Sequence, residues 1–163
     1  MGIQFNADEI FELAINIEKN GAAFYRKAAA QQDLPDNKQA LIQLAGMEDQ
    51  HQKTFEEMRQ KLSTEEKTGS SYDPYDELSL YLVAAADLHG GEGSPDEASR
   101  LKGRESMKEI ITIAMGLERK SILYYLGLKD LVSEKQGKEK IEDIITEEKT
   151  HLVQLSRLLN KNP

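Results

Sequence analysis

The segment Gly46–His51, GMEDQH, has a counterpart at Thr146–His151, TEEKTH. Each contains a glutamate three residues before a histidine, Glu48 with His51 and Glu148 with His151, and so uses two of the chain's three histidines. The offset of 100 positions extends well beyond these motifs. Leu41 and Leu44 correspond to Ile141 and Ile144, Phe55 to Leu155, Phe11 to Ile111, Ala14 to Ala114, Glu18 to Glu118 and Tyr25 to Tyr125. A single inserted or deleted residue would break this phase, so the two halves read as copies of one helical hairpin related by a pseudo-twofold axis.

Apolar and small residues in both halves recur at three- and four-residue spacing, which places them on one face of a helix. The first helix is expected from Asn6, a capping residue with Glu9 three positions on, and carries Phe11, Ala14, Gly21, Tyr25 and Ala28 inward. The second starts near Pro35 and Asp36 and runs to about Leu62. The third opens at Ser106 with Glu109 as capping partner and ends near Ser133; the fourth follows Gly137 and stops near Asn160. Between the hairpins lies the polar stretch 63–100, whose apolar centre, Leu78–Ala86, predicts one short helix in a long crossover. Two short links and one long connection predict an all-α four-helix bundle, formed as a single domain over residues 1–163.

Composition narrows the chemistry. The 21 basic and 29 acidic residues give a net charge of −8, which opposes binding to nucleic acid or to an anionic membrane surface. No apolar run reaches the ~20 residues of a membrane span and the N-terminus has no signal-peptide pattern, so a cytoplasmic location is expected. With no cysteine, disulfides, thiolate metal sites and cysteine nucleophiles are excluded. Any metal must be held by oxygen and nitrogen.

The polar residues that fall on the apolar stripes point to such a metal. Glu18 lies between Ala14 and Gly21, and Glu118 between Ala114 and Ser121. Glu48 and His51 interrupt the stripe between Leu44 and Phe55, and Glu148 and His151 interrupt it between Ile144 and Leu155. Side chains at i and i+3 project together, so four carboxylates and two imidazoles converge inside the bundle. Burying ionised carboxylates without partners costs several kcal/mol each. Four negative charges are balanced by two divalent cations with neutral histidine ligands, which selects two metal ions over one. Tyr25 and Tyr125, two turns beyond Glu18 and Glu118, suit either hydrogen bonding to the ligand carboxylates or core filling. His89, before a glycine pair, reads as a surface or helix-end residue, and Glu147 as a solvated one.

This constellation resembles that of the ferritin-like di-iron carboxylate proteins, which take one glutamate from each of two helices and Glu-x-x-His from each of the other two. Within that superfamily NIEKNGAAFY (16–25) and GLERKSILYY (116–125) are similar to the ligand-bearing helices of rubrerythrin. The resemblance implies a ferritin-like bundle with Glu48 and Glu148 bridging two metals, Glu18 and Glu118 as terminal or mobile ligands, and one histidine on each ion. It implies two iron ions, with manganese or zinc as alternatives, and a non-haem oxidoreductase that reduces hydrogen peroxide or dioxygen in oxidative-stress defence. Iron binding, ferroxidation or storage is the alternative function.

The chain departs from the family pattern in two places. It has no CxxC-bearing electron-transfer domain, which implies a separate electron-donor protein. Met115 occupies the position of a seventh, redox-mobile glutamate ligand, which implies a six-ligand centre with Met115 at its edge. Only LLNKNP follows Arg157, so the expected assembly is a homodimer and not a large cage.

Overall fold

The computed structural model describes residues 7–64, 67, 80, 81, 84 and 97–162. Four long helices dominate them: α1 (Ala7–Ala30), α2 (Pro35–Gln60), α3 (Met107–Leu131) and α4 (Lys138–Lys161). Among the described residues there is no strand. The all-α bundle of two hairpins is therefore as expected, with helix ends within two residues of the expected positions. Leu80, Tyr81 and Ala84 are helical, at the place expected for the crossover helix. The rest of that segment, His89 and the Asn6 cap lie outside the described residues.

Local chemistry explains the helix starts. Ser106 Oγ accepts from the Glu109 amide at 3.2 Å while Glu109 Oε2 accepts from the Ser106 amide at 2.7 Å, a reciprocal capping box that satisfies two free donors at the head of α3. The α2 start has no side-chain cap, and Pro35 occupies its first turn, where a missing N–H costs nothing. Gly137 precedes α4 at φ 102°, a left-handed conformation that favours glycine. A Cβ there would also come within 3.1 Å of Met58 Cε. Two 3-10 turns that the sequence pattern did not reveal are present: Glu97–Arg100 precedes the second hairpin, and Glu134–Gln136 links α3 to α4 within it.

The core divides into two apolar clusters. One joins Phe11 and Ala14 of α1, Phe55 and Met58 of α2, Tyr125 and Leu128 of α3, and Ile141 and Ile144 of α4. The other joins Phe24 and Ala28, Leu41 and Leu44, Ile111 and Ala114, and Leu155, with Ala98 and Leu101 added from the end of the crossover. Along every helix the inward glutamate, or Glu-x-x-His pair, falls between the segments belonging to the two clusters.

That order also gives the helix directions. α1 and α4 run from the first cluster to the second, and α2 and α3 run from the second to the first. Chain leaving α2 must therefore return along the bundle before α3 begins, a distance of ~39 Å for a helix of 26 residues. This is the physical need for a long crossover. α1 packs on α2 and α3 on α4 within hairpins, while α1 meets α3 and α2 meets α4 between them.

Candidate metal centre

All six expected residues meet at the boundary between the clusters, and all are buried: Glu18, Glu48, His51, Glu118, Glu148 and His151. His51 Nδ1 lies 3.1 Å from Glu148 Oε1, 3.4 Å from Glu18 Oε2 and 3.8 Å from Glu48 Oε2. His151 Nδ1 lies 3.1 Å from Glu148 Oε2, 3.2 Å from Glu48 Oε1 and 3.4 Å from Glu118 Oε2. Two quartets result, Glu18/Glu48/His51/Glu148 and Glu48/Glu118/Glu148/His151, each with ligand atoms within 4.8 Å of one another. They share Glu48 and Glu148. The imidazoles face each other across the pseudo-axis with centroids 5.6 Å apart and planes 20° from parallel.

The electrostatics of the protein alone set the cluster's groups apart from one another. Burial, reinforced by the charges of Glu48 and Glu148, raises the Glu18 carboxyl well above its usual range. Glu118 is raised in the same way by burial and Glu148. Burial also acts upward on Glu48 and Glu148, but neighbouring carboxyl protons and the two imidazoles outweigh it and hold both below the usual range. For the imidazoles burial acts downward and loses to the surrounding carboxylates, so His51 is raised strongly and His151 is pushed up to about 12. Without cations Glu18, Glu118, His51 and His151 are thus the groups that favour keeping a proton, and Glu48 and Glu148 those that favour the ionised form.

The residues fit a pair of cations by a further observation. Glu18 Oε2, Glu48 Oε1, both Glu148 oxygens and both Nδ1 atoms are buried without a hydrogen-bond partner. Buried polar atoms are normally bonded. Here the unpartnered ones converge, and their oxygen-and-imidazole chemistry is that of iron, manganese or zinc ligands.

The tyrosines do both of the things their position allows, and their hydrogen bonds run crosswise. Tyr25 on α1 donates to Glu118 Oε1 on α3, and Tyr125 on α3 donates to Glu18 Oε1 on α1. Each hydroxyl thus serves the other half's glutamate. Both rings also fill the core.

Glu147 is a correction. Its side chain is half exposed, as expected, but it is not merely solvated: Glu147 Oε2 lies 2.8 Å from His51 Nε2. The repeat carried no sign of this, because the equivalent position on α2 is Met47. Met115 is half-buried and packs against the second apolar cluster.

A model of the rubrerythrin family matches residues 9–159, nearly the whole chain. The chain belongs to the rubrerythrin family. It is also similar in structure to a Thermotoga maritima protein described as ferritin-like and diiron-carboxylate, with a TM-score of 0.75, 24% identity and full coverage of both chains. That likeness supports the ferritin-like fold. No curated protein matches the sequence. For this rubrerythrin family member, the buried Glu/His cluster marks a metal-binding site of the non-haem type.

Proposed function

We propose that this rubrerythrin family member binds two iron ions through Glu18, Glu48, His51, Glu118, Glu148 and His151 and uses them to reduce hydrogen peroxide. The observation that carries the reading is the pair of overlapping quartets sharing Glu48 and Glu148. Shared carboxylates are what two metals at the ~3.5–4 Å separation of dinuclear sites need. Two ferrous ions supply the two electrons of H2O2 + 2H+ + 2e− → 2H2O, and a separate electron-donor protein restores them.

The chain's own part is binding, orientation and exclusion of bulk water. Glu48 and Glu148 face both imidazoles and would be the carboxylates shared by the two ions; Glu18 with His51, and Glu118 with His151, would complete the two halves. Tyr25 and Tyr125 each tie down one oxygen of a terminal glutamate, leaving the other to face the centre. The apolar clusters on both sides keep the site at low dielectric, where the charge match between ligands and metals is strongest. Met115 supplies no carboxylate, so a six-ligand centre is part of the reading. A homodimer, a cytoplasmic location and a role in oxidative-stress defence belong to the same proposal and rest on the family resemblance. Among the described residues, no helix is long and apolar enough to cross a membrane.

The test is elemental analysis after anaerobic loading with ferrous iron, followed by stopped-flow oxidation with peroxide and with dioxygen. Two irons per chain and faster oxidation by peroxide are expected. A stoichiometry of zero overturns the reading, and faster reaction with dioxygen with many ferric ions retained per chain replaces it with iron storage.

A further inference from the structure

The pseudo-twofold symmetry of the ligands is broken just outside them. Both imidazoles turn Nδ1 toward the carboxylate cluster, so in each the outward atom is Nε2. His51 Nε2 meets Glu147 Oε2 at 2.8 Å. His151 Nε2 is buried and has no hydrogen-bond partner. The offset explains the difference: the position on α2 equivalent to Glu147 is Met47, whose thioether is at best a weak acceptor. A histidine that binds metal through one nitrogen gains from giving its other N–H to a carboxylate, which fixes the ring and its tautomer and makes the ligand nitrogen more basic.

We infer that Glu147 is a positioning residue for His51 and that the two metal positions are consequently unequal, the one beside His51 binding a divalent cation more tightly than the one beside His151. This rests on the dinuclear reading above but does not follow from it, since the six ligands alone are symmetric. Glu147 lies on the surface side of α4, so changing it leaves the six ligands and the apolar clusters in place. Met47 on α2 is half-buried and available for the converse change.

The experiment is titration of the metal-free full chain with cobalt(II), followed by calorimetry and by the cobalt visible absorption bands. The wild-type protein should bind two ions in steps separated by about 10-fold or more, the range in which outer partners of metal-bound histidines act. Glu147→Ala should weaken the tighter step about 10-fold and leave the weaker one unchanged, so that the steps merge. Glu147→Gln keeps an oxygen acceptor for Nε2–H and should lie nearer to wild type. Met47→Glu should tighten the weaker step. Two ions bound in a single indistinguishable step by the wild type overturn the inference but not the dinuclear centre, as does an equal loss in both steps for Glu147→Ala. No cobalt bound at all overturns both.

Discussion

Tyr25→Phe isolates one atom of the supporting network. The ring stays, so the packing of Tyr25 against Phe24 is retained and the change opens no large cavity. What is lost is the hydroxyl that donates to Glu118 Oε1, between two buried residues. Leaving a buried acceptor unsatisfied costs about 1–3 kcal/mol. For a chain of this size each kcal/mol moves the melting temperature by about 2–4 °C, so the metal-free variant should melt about 2–12 °C lower. Cobalt affinity at the Glu118/His151 position should fall about 10-fold or more, because the carboxylate is no longer held in its ligating orientation. Tyr124→Phe is the control: its hydroxyl donates to the Ile10 carbonyl at 3.0 Å, so it should lower stability comparably and leave metal affinity unchanged. Differential scanning calorimetry and cobalt titration on the three proteins decide the matter. If Tyr25→Phe keeps the wild-type melting temperature and affinity, or if Tyr124→Phe loses affinity equally, the supporting role assigned to the Tyr25 hydroxyl is wrong.

Two further outcomes follow from the charge balance. In the metal-free protein His51, His151, Glu18 and Glu118 all have raised values, so the fold holds more protons than the unfolded chain and should lose stability as pH rises above about 4.5 through the neutral range. Glu48 and Glu148, held low, act in the opposite sense and lose their contribution as pH falls below that point. Loading two divalent cations should release up to four protons and flatten this dependence; calorimetric titration in buffers of different ionisation enthalpy measures the release, and none would refute the balance. The second outcome concerns isosteres: Glu18→Gln with Glu118→Gln replaces carboxyls that the metal-free fold favours in the protonated form, so the metal-free variant should be more stable than the wild type at pH 7, with the gain shrinking as pH falls toward 4.5, while cobalt affinity collapses. Glu48→Gln instead removes an ionised partner of both imidazoles and should cost about 3–5 kcal/mol in chemical denaturation of the metal-free protein.

The sequence by itself determined which residues face inward and which of those are polar. A helix of constant pitch turns three- and four-residue spacing into a face, so Glu18, Glu48, His51, Glu118, Glu148 and His151 could be placed on apolar stripes residue by residue. The unbroken offset of 100 showed that the two hairpins repeat. Only the tertiary structure decided who meets whom across those faces. Tyr25 serves Glu118 across the contact between α1 and α3 and not Glu18, two turns back on its own helix, a pairing that only the packing of those two helices sets. Glu147 finds His51 because α4 lies along α2 with the outer edge of the imidazole turned toward it, a rotation that spacing does not encode. Periodicity is local and fixes the direction of each side chain from its own axis. Helix direction and rotation about that axis are settled by packing, and they turn six similar positions into two quartets with unequal surroundings.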